Sequence, residues 1–162
     1  MLFRSNTYEL SPGTTSTFGT DFNRETFGQS SNYDLARNTN GYFGGLSHKL
    51  QKWDFQGNFR TDNVKVTNVK STGVTANNST NTNSALLGAG YQFNDIWRLS
   101  ATASSGFRAP NAYEISLSPT LTSETHNSQE IGLSYAVENT LLRTAYFTST
   151  TKNAITANSS YT

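Results

Sequence analysis

Along much of this chain apolar and polar residues alternate one by one. In "WRLSATASSGFR" Trp97, Leu99, Ala101, Ala103 and Phe107 fall on one side, and Arg98, Ser100, Thr102, Ser104 and Gly106 on the other. "WDFQGNFRTD" sets Trp53, Phe55, Gly57 and Phe59 against Asp54, Gln56, Asn58 and Arg60. "EIGLSYAV" sets Ile131, Leu133, Tyr135 and Val137 against Glu130, Gly132, Ser134 and Ala136, and "ALLGAGYQF" sets Leu87, Ala89, Tyr91 and Phe93 against Gly88, Gly90 and Gln92. "TFGTDFNRE" places Phe18 and Phe22 opposite Gly19, Asp21 and Asn23. A period of two belongs to extended backbone, so these segments read as strands with one apolar and one polar face.

Eight strands are expected, over 2–10, 14–25, 39–50, 53–66, 83–93, 97–108, 126–137 and 140–150. They are long against the usual strand of about 5–6 residues, and about 9–11 tilted residues suffice to cross a bilayer. The connections alternate in length. "SPG" after Leu10, "QKWD", "NDI" and "EN" are tight, whereas 26–38, 67–82 and 109–125 read as long polar loops. Short turns thus fall on one edge of the sheet and long loops on the other, the asymmetry of a transmembrane β-barrel. Trp53 and Trp97 begin strands just after tight turns, Phe93 ends one just before a turn, and Tyr8 lies two residues short of another. That is where an interfacial aromatic girdle belongs. The segment 66–84 is nearly all small and polar, suited either to an irregular tip or to a hairpin standing above a membrane in contact with water and sugars.

Composition sharpens this picture. Hydrophobic residues are 34% and charged residues 14%, both low for a water-soluble globule. Asn, Ser and Thr fill the gap at about 38% of the chain. A disordered chain would be more charged and poorer in rings than one with 12% aromatics and a formal charge of +1. The near-neutral balance offers no basic footprint for nucleic acid. Without cysteine there are no disulfides or thiolate metal sites. No apolar run reaches 18 residues, which excludes a transmembrane helix, and "MLFRSNTYEL" has no apolar stretch of the kind a secretory leader carries.

The stretch "LSATASSGFRAPNAYEI" breaks the alternation at Pro110 and resembles the strand-and-loop signature of TonB-dependent outer-membrane receptors: an amphipathic strand, then Gly-Phe-Arg-Ala-Pro, then an acidic residue just after an aromatic. "TLTSETHNSQEIGLSYAV" is similar to the family segment in which a Leu and a Pro-Glu pair precede a Glu-Leu-Gly-hydrophobic strand. Glu124 and Glu130-Ile131-Gly132-Leu133 match it, with Ser123 where Pro is usual and Thr122 where Lys is common. "LLRTAYFTSTTKNAI" resembles the strand that follows, and "FGTDFNRE" and "FQGNFRTDNV" more loosely resemble strands of the cobalamin- and siderophore-receptor branch. The resemblance implies an all-β fold, an antiparallel up-and-down transmembrane β-barrel segment: about eight strands of a larger barrel of the 22-stranded type. It implies a place in the outer membrane of a Gram-negative bacterium, in contact with membrane lipid. It further implies a plug domain lying outside this segment, energy supplied by the TonB complex through that plug, and a small ligand, either a siderophore-type metal chelate or a cobalamin-like molecule. No catalysis and no cofactor are expected, and the segment alone is not expected to transport.

The candidate functional residues follow from parity and from the break. Asp54, Asn58, Arg60, Arg98 and Glu130 lie on the polar face and are expected to line the lumen and face the plug. Pro110 lacks a donor for the ladder and ends pairing there. Arg108, also on the polar face, is expected to pair with Glu114 or Glu130, and Arg108, Pro110, Tyr113 and Glu114 together form the base of a loop that either shapes a ligand vestibule or fixes loop geometry. Loops 26–38, 67–82 and 109–125 are expected to touch ligand. His48 and His126 lack partners at metal-ligand spacing, and the loops lack the acidic clusters of a calcium site. "GYFGG" opens no helix and so is no phosphate loop. The alternatives are a self-contained eight-stranded outer-membrane barrel serving structure or adhesion, in which the first and last strands would pair, and a soluble glycan-binding β-domain.

Overall fold

The computed structural model describes residues 1–29, 33–70, 75–111, 114, 115, 118 and 120–156. It contains eight strands: β1 (Leu2–Ser11), β2 (Thr14–Gln29), β3 (Tyr33–Leu50), β4 (Trp53–Lys70), β5 (Thr75–Gln92), β6 (Trp97–Arg108), β7 (Glu124–Val137) and β8 (Thr140–Lys152). Each pairs antiparallel with its sequence neighbours in one sheet of order β1-β2-β3-β4-β5-β6-β7-β8. The all-β, up-and-down architecture expected from the alternation is therefore present. β1 and β8 each have one partner strand, so the sheet is open, and the closed eight-stranded alternative does not hold.

The four tight turns line one edge. Gly13 occupies the left-handed region at φ 79°, as do Gln51 at 54° and Glu138 at 48°. In the fourth turn the Asn94 side chain accepts hydrogen bonds from the Ile96 and Trp97 amides at 3.0 and 2.9 Å, the local bonding that suits Asn to turns. Neighbouring turns are joined through backbone bonds, Lys49 N–H to Gly13 O, Gln92 N–H to Lys52 O and Ala136 N–H to Ile96 O.

At the other edge the structure corrects the sequence reading. The segment 26–38 is not a long loop, and of the two readings of 66–84 the hairpin is the one that holds. β2 and β3 stay paired up to Gln29 and Tyr33, and β4 and β5 up to Val69 and Thr75. These stretches are rich in Asn, Thr and Ser and show no alternation, because an apolar face is needed only where hydrocarbon or a core must be met. The ladder itself is made by backbone and continues regardless. The long connection that remains is 109–123, between β6 and β7.

The register keeps the two faces separate across the sheet. Trp53, Phe55 and Phe59 share a face with Tyr91, Ala89 and Ala85, then with Leu99 and Ala101, then with Leu133 and Ile131. This apolar face is open: Leu87 is 67% and Tyr146 71% exposed. Trp97 is exposed, and Leu99, Tyr91 and Leu133 are half-buried, so these side chains do not close around a dry centre. On it, at the turn edge, rings meet across strands: Trp53 with Tyr91 (centroids 4.6 Å apart) and Trp97 with Tyr135 (4.9 Å). The aromatic row expected near the tight turns is there. The buried apolar residues among those described are Val64, Val66, Ala109 and Ile115, with Leu35 and Phe107 packed against them. Val64 and Val66 belong to the polar face of β4.

The Gly13 turn supplies a direct test. A methyl group there would meet the Lys49 carbonyl oxygen at 2.8 Å as well as an unfavourable φ. Gly13→Ala should destabilise the folded sheet by more than about 1 kcal/mol, read as a lowered denaturant midpoint with unchanged slope.

Candidate functional site

On the polar face the strand arginines Arg60, Arg98 and Arg143 are paired with carboxylates. Arg60 donates from Nε and Nη2 to Asp62 at 2.7 and 2.6 Å and from Nη2 to Asp21 at 3.1 Å. Asp62 is only 3% exposed, and a carboxylate so placed requires such a partner. Arg98 Nη2 donates to Asp54 Oδ1 at 2.7 Å, and Arg143 Nη2 to Glu130 Oε1 at 2.9 Å. Glycines make room for two of these pairs. A Cβ on Gly41 would collide with Arg60 and Asp62, and one on Gly90 with Arg98 and Asp54. The glycines of the polar face thus hold space for guanidinium–carboxylate pairs on the next strand. Asn58 is exposed on the same face, packed over Gly45.

The break after β6 is the most tightly built part of the molecule. Arg108 ends β6 and stands opposite Glu124, which begins β7. Its guanidinium uses three nitrogens: Nε and Nη2 grip Glu124 at 2.8 and 3.0 Å, and Nη1 donates to both oxygens of Glu114 at 3.1 and 3.0 Å. Such bidentate pairing adds geometric specificity to charge attraction. Glu114 is itself fixed by a reciprocal cap: the Asn111 N–H donates to its carboxylate at 2.7 Å, and its own N–H donates to Asn111 Oδ1 at 2.9 Å, the bonding of a capping box. Glu124 also accepts from the Ile155 N–H at 2.6 Å, tying the chain beyond β8 to the same cluster.

This staple directs the segment after Pro110 across the polar face. Pro110 and Ile115 are fully buried, Ile115 packing with Val64 and Val66 of β4, two strands away. Farther along, Asn78 Nδ2 of β5 donates to Leu121 O at 3.1 Å. Ile115 and Leu121 therefore lie over β4 and β5 at the loop edge.

The sequence-derived candidates are thus distributed rather than convergent. Arg108, Pro110 and Glu114 come together. Asp54 and Arg98 form a second pair nearer the turns, and Arg60 a third cluster. The expected alternative partner Glu130 does not reach Arg108. It lies six residues beyond Glu124 along β7, about 20 Å at strand rise, and pairs with Arg143 instead. Tyr113 lies outside the described residues. Asp21, Asn111, Ile115 and Arg143 were not singled out by the sequence, and Glu124 was marked by the family resemblance but not as a partner of Arg108. The Asn-x-x-Glu spacing at 111–114 was the available signal for the cap. No cluster of three metal-ligating side chains occurs among the described residues. A depression of about 790 Å³ includes Leu46, Phe55, Leu87, Ile131 and Tyr146 of the apolar face in its lining.

With this geometry in view, the family model described as TonB dependent receptor-like, beta-barrel matches residues 2–162. The chain belongs to this family. Its members are receptors and transporters, not enzymes. Among solved structures, the FrpB iron transporter from Neisseria meningitidis (F3-3 variant) is similar with a TM-score of 0.79 and 17% identity, covering 93% of this chain and 27% of that one. The hemophore receptor HasR of Serratia marcescens, solved as a double mutant with its hemophore HasA and heme, gives a TM-score of 0.72 and 15% identity over 94% of this chain and 32% of that one. The ferric yersiniabactin uptake receptor FyuA from Yersinia pestis gives 0.60 and 16% over 93% and 29%. The chain spans about a quarter to a third of the length of these structures. At such identities the likeness is one of fold. No curated protein matches the chain.

The Glu114 carboxyl makes the staple testable by pH. Burial pushes its pKa up, but the Arg108 side chain and the Asn111 amide more than offset that, and the net result lies below the ordinary value of 4.5. A depressed folded-state pKa contributes stability above the ordinary value and loses it as pH falls through the folded one. Hydrogen-exchange protection of the Ile115 amide should therefore be full at neutral pH and drop only below pH 4.5. In Glu114→Gln protection should be weak at neutral pH and lack that step.

Proposed function

We propose that this chain forms part of the wall of an outer-membrane, TonB-dependent receptor that takes up a metal chelate of the siderophore type. The observation that carries the reading is the family match over residues 2–162 on a sheet whose two faces demand different surroundings. The open apolar face suits hydrocarbon, and the paired, hydrogen-bonding face suits a water-filled lumen. A lone Arg facing lipid at midplane costs about 2–4 kcal/mol, which accounts for Arg60, Arg98 and Arg143 sharing the polar face. Asp21 Oδ1, Arg37 Nε and Thr82 Oγ1 on that face are buried without a partner among the described residues, a condition met by ordered lumen water.

The unpaired edges of β1 and β8 call for further strands, as in a 22-stranded barrel, because exposed ladder groups aggregate or borrow neighbours. In this reading Asp54, Asn58, Arg98 and Glu130 face a plug held within the barrel, and the plug links to the TonB complex. In the same reading Pro110, Ile115 and Leu121, which lie against the polar face at the loop edge, narrow the outer mouth of the lumen and contribute to the ligand vestibule. Similar structures named for iron, heme and a ferric siderophore favour a metal chelate over a cobalamin-like ligand.

The test is uptake of ferric catecholate and ferric citrate by iron-starved Gram-negative cells lacking their own receptors for both. The chain exported alone should stay at background. The same chain within one polypeptide that also supplies a plug and the remaining strands should restore uptake of one probe. Uptake by the chain alone, or a chain that remains monomeric in buffer without detergent, would overturn the proposal.

A further inference from the structure

The cluster around Arg108 is one cation short of neutrality. Among the described residues it holds one guanidinium, Arg108, and two carboxylates, Glu114 and Glu124. Glu124 is also its junction. Its Oε1 accepts from Arg108 Nη2 at 3.0 Å and from the Ile155 N–H at 2.6 Å, and its Oε2 accepts from Arg108 Nε at 2.8 Å. A carboxylate offers about four lone pairs, so Oε2 keeps one unused. His126 Nε2 stands 3.6 Å from that oxygen, just beyond hydrogen-bonding distance.

His126 is placed to close this gap. It follows Glu124 on β7 by two residues and so shares its face of the sheet. Its Nδ1 lies 2.9 Å from Thr151 Oγ1 of β8. A hydroxyl both donates and accepts, so this bond holds the ring whether or not it is protonated. Opposite His126 on β6 is Gly106, where an added methyl group would meet nothing within 4 Å. The ring therefore has room to shift. Among the described residues the charged groups around it are Glu124 on its own strand, Arg108 at the end of β6 and Glu114 in the connection. From β8 it meets the Thr151 hydroxyl, and Lys152 lies on the other face.

We propose that His126 is a proton-operated latch at the loop edge: once protonated it closes onto Glu124, balances the charge of the cluster, and tightens the hold of Glu124 on both the connection after β6 and the chain after β8. Without that proton one negative charge is unbalanced and the hold on Ile155 is looser. The role rests on the reading that these segments border the lumen mouth, and adds a regulation of that mouth by the acidity outside the cell. Histidine is the side chain whose ordinary charge change falls between pH 5 and 8, and its protonation is a known kind of switch. Stability contributed by such a cation is present at low pH and is lost as the pH rises through its titration.

The test is hydrogen-exchange protection of the Ile155 amide, followed by NMR between about pH 8 and pH 5 on the full chain refolded in neutral detergent, and normalised to the intrinsic exchange rate. Protection in wild type should rise about threefold as the pH falls, the size expected of a half-exposed ion pair. This step lies above the range in which Glu114 takes up its proton. H126Q keeps a polar side chain that does not titrate and should show no step. H48Q removes the other of the two histidines and should keep it. Ring nitrogen shifts of His126 in wild type should titrate with the same midpoint as the protection, a readout that stands even where H126Q fails to fold. No step in wild type, a step that survives in H126Q or vanishes in H48Q, or two distinct midpoints, would overturn the proposal. The measurement involves neither a bilayer nor uptake, so a missing step leaves the receptor reading in place, and missing uptake leaves the latch in place.

Discussion

The unbroken period-two register from β2 to β8 is the constraint on which the rest of the structure depends. A slip of one residue would move every side chain of a strand to the opposite face. It would carry Arg60 or Arg98 among the aromatic rings and bring Phe55 or Leu99 among the ion pairs. The separation of faces is thus enforced jointly, each strand holding its neighbour in phase through the ladder and through cross-strand pairs such as Trp53–Tyr91. The tight turns set the phase at one edge, and backbone bonds between successive turns make that edge continuous.

Given that phase, the small residues and the break after β6 acquire roles. Gly41 and Gly90 leave the space into which guanidinium–carboxylate pairs fold, so the charges of Arg60 and Arg98 are neutralised where they stand. At the loop edge the same parity sets Arg108 opposite Glu124. Pro110 ends the ladder, the cap at Asn111 and Glu114 turns the chain, and Arg108 ties both carboxylates together. Ile115 is thereby carried onto Val64 and Val66 of the polar face.

Alternation made the lower halves of the strands, their two faces and the tight turns legible in the sequence, because there each residue meets one of two contrasting surroundings. Above that level both faces accept polar side chains, so the extensions of β2 through β5 leave no periodic trace and read as loops. The partner of Arg108 was half legible. Glu114 is close in sequence and was foreseen, whereas Glu124 was hidden because β7 starts two residues earlier than its alternation does, and only the β6–β7 register reveals the opposition. Glu130 has the right parity but the wrong height, a coordinate that alternation alone does not supply. The inward placement of Ile115 was likewise beyond reach, since it shows no partner in sequence until Val64 and Val66 are known to stand two strands away.

The chain has no cysteine, so single cysteines can be introduced one at a time along β6 and spin-labelled in lipid vesicles. For Leu99→Cys, Ala101→Cys and Ala103→Cys, relaxation by oxygen should dominate, and for Ser100→Cys, Thr102→Cys and Ser104→Cys, relaxation by a water-soluble nickel chelate, alternating residue by residue. Equal access of the nickel chelate to both sets, or protection of the first set from both reagents as in a dry core, would contradict a wall with hydrocarbon on one side and water on the other.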